Sequence, residues 1–466
     1  MEGVSLMQWL TDIVNKTQNF LFTYVLIALL LIVGLYFTIR SGVVQLTLLK
    51  DGFKALMDKK GVDKHEVSSF QSLMISTASR VGTGNIAGVA TAIMIGGPGA
   101  VFWMWIIALI GSASAFVEST LAQVYKQKEG NIFIGGPAYY IKNALGNKTM
   151  AVLFAIALIL CFGVGFNGLQ SFNIASSLST FHDGMETKVI VGIVLAVLSG
   201  IVIFGGIHRV GVISSIVVPI MAGIYILLGL YVIITNINLV PGVMSSIFNQ
   251  ALSLQAFASG ALGAAIMQGV KRGLFSNEAG MGSSPNAAAS ADVTHPVKQG
   301  LAQVISVFID TLLICTTSAA FVLLSNGASG DDGIKLIQDA FLLQFGDIGI
   351  YFITIAVILF AFTSIIGNYS YIESNFLFMC DSKKALNIFR VICLVPIIFG
   401  ALIEMDLAWA LADLFMGIMA LINIWAIVSL SKIAFICLKD YKEQRAKKID
   451  PTFDPKTLGI KNTKAW

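Results

Sequence analysis

Ser79-Arg80-Val81-Gly82-Thr83-Gly84-Asn85 lies inside the apolar run 68–95, and Gly273-Leu274-Phe275-Ser276-Asn277-Glu278-Ala279-Gly280-Met281-Gly282 lies inside the apolar run 253–289. Each stretch places glycines and polar side chains where a membrane helix should be most regular. Glycine costs a helix interior up to about 1 kcal/mol relative to alanine, and irregular backbone at mid-membrane depth is tolerated only where it lines a protein-enclosed cavity. Both stretches are therefore expected to be broken helices. One such break is also compatible with a tight glycine contact between helices; two at corresponding positions point to a binding place.

Working outward, the chain is 56% hydrophobic and only 12% charged, with a mean hydropathy of +0.83. Soluble domains carry about 25% charged residues, so a water-soluble fold is excluded and an all-α polytopic membrane protein is expected. Each crossing needs about 20 apolar residues. The runs 20–39, 68–95, 98–125, 150–180, 188–206, 210–235, 253–289, 299–325, 347–372, 386–403 and 408–437 give 11 transmembrane helices. The first run is of full spanning length and lacks a basic leader and a small-residue cleavage site, so it reads as a retained helix.

The basic residues fix an expected orientation. Loop 40–67 holds Arg40, Lys50, Lys54, Lys59, Lys60 and Lys64, and loop 126–149 holds Lys126, Lys128, Lys142 and Lys148. By the positive-inside rule both are cytoplasmic. That face takes most of the 30 basic residues, Lys16, Lys188 and Lys335 fall opposite, and Arg80, Lys271 and Arg272 fall within expected spans. The N-terminus is then outside and the C-terminus cytoplasmic, in a multi-pass protein of the cell (inner) membrane. The net charge of +4 reflects this topology, not a nucleic-acid partner. The tail Lys439–Lys448 either touches anionic membrane lipid or simply retains the topology.

With the first crossing set aside, ten remain, two sets of five that start on opposite sides of the membrane. This is the inverted-repeat arithmetic of secondary transporters, and the two breaks fall in the first helix of each set. The expected divisions are 1–67 (an extra helix and a cytoplasmic loop), 68–235 and 253–437 (the two repeats), and 438–466 (the tail).

A break exposes N–H groups at the start of one half-helix and C=O groups at the end of the other. Facing breaks thus suit an amino-acid zwitterion. The N–H groups of Thr83, Gly84 and Asn85 are expected at the carboxylate, and carbonyls near Arg80 and Ser276 at the ammonium. A coupling Na⁺ needs hard oxygen ligands, which the hydroxyls of Thr363 and Ser364 offer; adjacent hydroxyls mid-helix equally bond a carbonyl one turn earlier.

Three longer motifs carry a resemblance: Gly82-Thr83-Gly84-Asn85-Ile86-Ala87-Gly88-Val89-Ala90, Gly135-Gly136-Pro137-Ala138-Tyr139-Tyr140, and Gly273-Leu274-Phe275-Ser276-Asn277-Glu278-Ala279-Gly280. In this order they resemble the alanine or glycine:cation symporter family, over nearly the whole chain. The resemblance implies a leucine-transporter-type fold with a 5+5 inverted repeat after one extra helix. It further implies Na⁺-driven, or sometimes H⁺-driven, uptake of small neutral amino acids. Carried over by position, Gly82-Thr83-Gly84-Asn85 is similar to the carboxylate-binding break. Thr363 and Ser364 are similar to the hydroxyl pair of a Na⁺ site completed by the carbonyls of Ala78 and Val81. Gln170, Phe275 and Asn277 are similar to pocket-lining positions. Where the family commonly has tryptophan, this chain has Asn368, which opens room for a larger polar substrate such as glutamine.

The other intramembrane charges are functional candidates by default. Glu118 reads as half of an ion pair with a basic group or as a proton relay. Arg80 and Glu278 read as a lock or gate between the breaks, Lys271 and Arg272 as marks of solvent access or of a carboxylate partner. Asp310 and Asp413 read as bonds between neighbouring helices or as coupling-ion ligands. His65, His182, His208 and His295 fall in or beside loops without metal-ligand spacing and are expected to be solvated. Loop 326–346, with Asp331, Asp332 and Asp339, reads as a solvated turn or as a means of concentrating cations. The cysteines Cys161, Cys315, Cys380, Cys393 and Cys437 are spread through apolar runs and suit packing. No Ser–His nucleophile pairing is apparent, which disfavours an enzyme, and no stretch is long enough for a soluble signalling domain. The remaining alternatives are a proton-coupled symporter and a passive amino-acid channel. No cofactor beyond Na⁺ as coupling ion is implied.

Overall fold

The computed structural model describes residues 6–57, 67–129, 132–252 and 260–466. Lys59, Lys60, Lys64 and His65, the start of the run 253–289 and the His208 side chain lie outside the described residues.

The helices that build the molecule are α1 (Thr11–Ser41), α2 (Ser69–Arg80), α3 (Gly84–Gly96), α4 (Gly99–Val124) and α5 (Lys148–Ser179). They continue with α6 (Met185–Ile203), α7 (Gly206–Thr235), α8 (Ala261–Asn277), α9 (Ser284–Ser290) and α10 (Pro296–Leu323). The last are α11 (Gly333–Phe345), α12 (Asp347–Met379), α13 (Lys383–Gly400) and α14 (Met405–Ala446). Among the described residues, eight helical stretches are long and apolar enough to cross a membrane: α1, α4, α5, α6, residues 209–235 of α7, α10, α12 and α14. The chain is a multi-pass membrane protein. Three further expected crossings take another form. Run 68–95 is split into α2 and α3, run 253–289 into α8 and α9, and run 386–403 lies in α13, which carries Lys383, Lys384 and Arg390.

Local chemistry sets several boundaries. Ser68 begins α2 with a capping box: Gln71 N donates to Ser68 Oγ at 3.1 Å and Ser68 N donates to Gln71 Oε1 at 3.0 Å, satisfying donors that a helix start otherwise leaves unpaired. Asn147 caps α5 through Met150 N, 3.0 Å away. His295 accepts from Val297 N ahead of Pro296 at the start of α10. An antiparallel hairpin pairs Gln127–Glu129 with Ile132–Ile134, a small exception to the all-α expectation.

Loop 326–346 is corrected. Residues 333–345 form α11, whose Gly333, Ile334, Leu336, Ile337, Ala340 and Phe341 are buried. Asp332 caps it by accepting from Lys335 N at 2.7 Å and also takes Ser176 Oγ at 2.8 Å. The apolar spacing is that of a one-faced helix, hidden by a polar start. His295 is likewise corrected: it is fully buried and lies 3.2 Å from Asp440, whereas His182 is exposed. The tail beyond Ala446 folds back, with Phe453 N donating to Thr294 O at 2.9 Å and Trp466 Nε1 donating to Gln123 O at 2.9 Å. Cys161, Cys315, Cys393 and Cys437 are buried and Cys380 half-buried, and all five are free thiols.

Candidate functional site between the two broken helices

The first break is short. After Arg80 the backbone leaves the helix at Val81, with ψ of 80°, and resumes at Gly84 in a π-helical turn, Gly84–Gly88. Wide turns of this kind concentrate at functional sites. Gly82 N donates to Arg80 O and to Asn85 Oδ1, at 2.9 and 3.0 Å. Thr83 N donates to Gln170 Oε1 at 3.0 Å, and Thr83 Oγ1 donates to the same oxygen at 2.9 Å. Asn173 Nδ2 donates to Thr83 Oγ1 at 2.7 Å. Neutral amide oxygens thus hold this break, and Gln170 takes the N–H expected at a carboxylate.

Gly84 is required by close approach, since a β-carbon there would run into the ring of Phe275. That ring packs against Phe166 at 4.4 Å and Trp409 at 5.4 Å between centroids. Three aromatic rings from α8, α5 and α14 therefore meet over the first break.

The second break is longer and tied by carboxyl groups. Glu278, Gly280 and Gly282 have φ of 55°, 81° and 89°, the left-handed region in which glycine is at little cost. Glu118 is corrected from the expected ion pair. Its carboxylate accepts from Gly280 N at 3.2 Å, Gly282 N at 3.1 Å and Asn423 Nδ2 at 2.7 Å. Its carboxyl group resides on the exposed peptide groups of the break, and no basic nitrogen lies within 4 Å of it among the described residues. Glu278 accepts from Ser79 Oγ at 3.0 Å and Ser283 Oγ at 2.5 Å.

Arg80 does not touch Glu278. Its Nη1 donates to Gln303 Oε1 at 3.1 Å, while Nε and Nη2 have no partner. Lys271 and Arg272 share a carboxylate partner, Asp413, at 3.7 and 2.6 Å, and the guanidinium lies 4.0 Å over the Trp409 ring.

The two breaks meet at Asp310. Its carboxylate accepts from Asn85 Nδ2 at 2.6 Å, Ser276 Oγ at 2.5 Å and Thr311 Oγ1 at 3.0 Å. Asn85 Nδ2 also donates to Ser276 Oγ at 3.0 Å. One side chain flanking each break therefore shares one buried carboxyl group, with no basic nitrogen within 4 Å among the described residues. The intramembrane-charge rule flagged Asp310; nothing local in the sequence showed that it joins both breaks. Trp409, one tryptophan in an apolar run, gave no signal at all.

The hydroxyl pair divides. Ser364 Oγ crosses to the Ala78 carbonyl at 3.0 Å, and it borders Gly82, where a β-carbon would strike it. Thr363 Oγ1 bonds back to Leu359 O and Phe360 O of its own helix, both at 3.0 Å. No bond links Val81 O to either hydroxyl. Gly367 lets α12 reach this place, since a β-carbon there would lie 2.7 Å from Ser79 N. One turn on, Asn368 Oδ1 accepts from Ser79 Oγ at 2.6 Å and Asn368 Nδ2 donates to Asn167 Oδ1 at 2.9 Å. Asn277 Oδ1 accepts from Ala279 N at 3.0 Å within its own break, with Nδ2 unpartnered.

The sequence profile of the sodium:alanine symporter family matches residues 7–455. The amino-acid carrier protein AlsT of Bacillus subtilis is 47% identical over 457 residues, covering 98% of this chain and 97% of the relative. The probable sodium/glutamine symporter GlnT of the same organism is 46% identical, covering 96% and 94%. The sodium/alanine symporter AgcS of Methanococcus maripaludis is 34% identical, covering 93% and 98%.

Proposed function

This chain belongs to the sodium:alanine symporter family, and from that premise we propose that it carries a small neutral amino acid across the membrane together with Na⁺. The carrying observation is the meeting of the two breaks at Asn85, Ser276 and Asp310. A zwitterion held there would present its carboxylate to the Thr83–Gly84 peptide groups, displacing Gln170 Oε1. Its ammonium would lie toward Ser276, near the carbonyls of the second break. The carboxyl group of Asp310, bonded to Asn85 and Ser276, would offer that ammonium or a cation an acidic oxygen.

Na⁺ would be held by Ser364 Oγ, the Ala78 and Val81 carbonyls and Thr363 Oγ1, the last after turning away from its own helix. Each is a hard oxygen donor, as a small cation demands. Cation binding would pull α12 against the first break and so favour the substrate-ready form. A ligand shifts an equilibrium only by its differential affinity for the two states. Phe166, Phe275 and Trp409 would close over the bound molecule.

In this reading α2 with α3, α8 with α9, and α13 also cross the membrane, giving eleven crossings and two inverted five-helix repeats at 68–235 and 253–437. The N-terminus lies outside, and the tail 438–466 lies at the cytoplasmic face of the cell membrane. No covalent chemistry is called for.

The test is uptake into proteoliposomes. Alanine or glutamine should accumulate against its gradient when Na⁺ is high outside, and accumulation should collapse when Na⁺ is equal on both sides. A proton-driven version, which the buried Asp310 with no basic nitrogen within 4 Å among the described residues favours, would accumulate substrate on a pH gradient alone. Flux that never exceeds equilibration would mark a passive channel.

A further inference from the structure

Asn167 and Asn368 are both buried and bonded to each other at 2.9 Å. They stand on the same two helices that grip the first break. Asn167 comes three residues before Gln170 on α5, and Asn368 four residues after Ser364 on α12, so the pair lies one helical turn along from the pair that brackets Gly82. A turn is about 5.4 Å, the reach of two methylenes and a carboxamide from an amino-acid backbone seated at Thr83–Gly84.

With Glu278 ionised, the hydrogen count at this place is one short. Ser79 Oγ lies 2.6 Å from Asn368 Oδ1 and 3.0 Å from Glu278 Oε1, yet a hydroxyl has a single hydrogen to give. Asn368 Oδ1 and Glu278 Oε1 therefore compete for one donor in a buried setting, where an unmet acceptor is costly. Asn167 Oδ1 receives one of the two hydrogens on Asn368 Nδ2 and keeps a second lone pair. The pair thus asks for an incoming group with N–H donors to supply the missing hydrogen and with an acceptor for the second Asn368 hydrogen. A carboxamide has both; a methyl or thioether has neither, and a carboxylate would bring only acceptors beside Glu278.

We propose that Asn167 and Asn368 form the side-chain subsite of this transporter and select a carboxamide-bearing amino acid. The assignment rests on the symporter reading above. Ser79 is a positioning residue in it. When the substrate amide serves Asn368 Oδ1, the Ser79 hydroxyl turns wholly to Glu278, and occupancy of the subsite is felt at the second break.

The test compares substrates in proteoliposomes of the wild type, Asn167→Leu and Asn167→Ser. In wild type, glutamine should displace labelled alanine at a concentration at least tenfold below that of methionine or glutamate, which match its length. Asn167→Leu should lower the ratio of glutamine to alanine uptake by roughly tenfold to a hundredfold, the range for one lost hydrogen bond at a buried polar site, and Asn167→Ser should restore part of it. If Asn167→Leu does not fold, the wild-type comparison of glutamine, methionine and glutamate decides alone. Equal competition by the three would overturn the assignment, as would a glutamine-to-alanine ratio unchanged in Asn167→Leu, the mark of a purely structural bond between helices. A wild type with no Na⁺-driven uptake of either substrate would strike the symporter reading itself, and this assignment with it.

Discussion

The two breaks solve the same backbone problem in opposite ways. The first leaves its helix for only three residues and is held by neutral amide groups from Gln170 and Asn85. The second spans 278–283, uses three left-handed residues and is occupied by the Glu118 carboxylate. A neutral amide oxygen gives way to a substrate carboxylate with a gain in electrostatic energy, because charge-assisted hydrogen bonds are about twice as strong as neutral ones. A resident carboxylate has no such reason to leave. Under the proposed function, the difference makes the first break the exchangeable place for a substrate carboxylate and the second a fixed joint whose carboxyl group belongs to the protein.

The largest expected effect follows from removing that resident carboxyl group. Glu118→Ala strips two backbone donors and Asn423 of their acceptor in a buried setting, and should abolish uptake and lower the melting temperature in detergent. Each buried donor left without its acceptor costs about 1–3 kcal/mol. Gln170→Ala should leave folding nearly intact and raise the substrate KM instead. Equal thermal destabilisation by the two variants would erase the contrast between the breaks.

Asp310→Asn comes next, since Asp310 touches a side chain beside each break. Uptake should fall by at least about tenfold, in line with the loss of hydrogen bonds to a buried charge, with the cation half-saturation raised. An unchanged cation dependence would confine Asp310 to a structural role. Of the hydroxyl pair, Ser364→Ala should raise the Na⁺ half-saturation by about fivefold or more and Thr363→Ala by less, because only Ser364 Oγ reaches across to the first break. Titration of uptake with Na⁺ in both variants gives the order directly, and a larger effect of Thr363 would reverse the assignment.

The smallest effect concerns the segment that follows the second break. Burial lowers His295 to about 4, against the opposing pull of Asp440. Its value in the unfolded chain is about 6.5, so the neutral imidazole contributes stability in full above that pH. The contribution is lost as pH falls through about 4. Melting curves of His295→Gln should depend less on pH between 6.5 and 4 than those of the native chain; parallel curves would show that the imidazole titrates freely.

The breaks were legible in the sequence because their signal is local: glycines and polar side chains interrupt an apolar run at Gly82–Asn85 and again at Gly273–Gly282. What fills them was not. Glu118 and Gly280, Asn85 and Asp310, or Asn167 and Asn368 are far apart along the chain and meet only through packing, so no spacing rule announces them. The Ser364 hydroxyl and the Thr363 hydroxyl are adjacent in sequence, yet one turns outward and one back on its helix. Helix α11 was missed because Asp331-Asp332-Gly333 reads as a turn, and in the fold it is the capped start of a half-buried helix.

The most direct test is a structure with an amino acid and Na⁺ bound. The account predicts the substrate carboxylate within hydrogen-bond distance of the Thr83 and Gly84 N–H groups, Gln170 Oε1 moved off Thr83, and Glu118 still on Gly280 and Gly282. A carboxylate seated on the second break in place of Glu118, with Gln170 unmoved on Thr83, would contradict it.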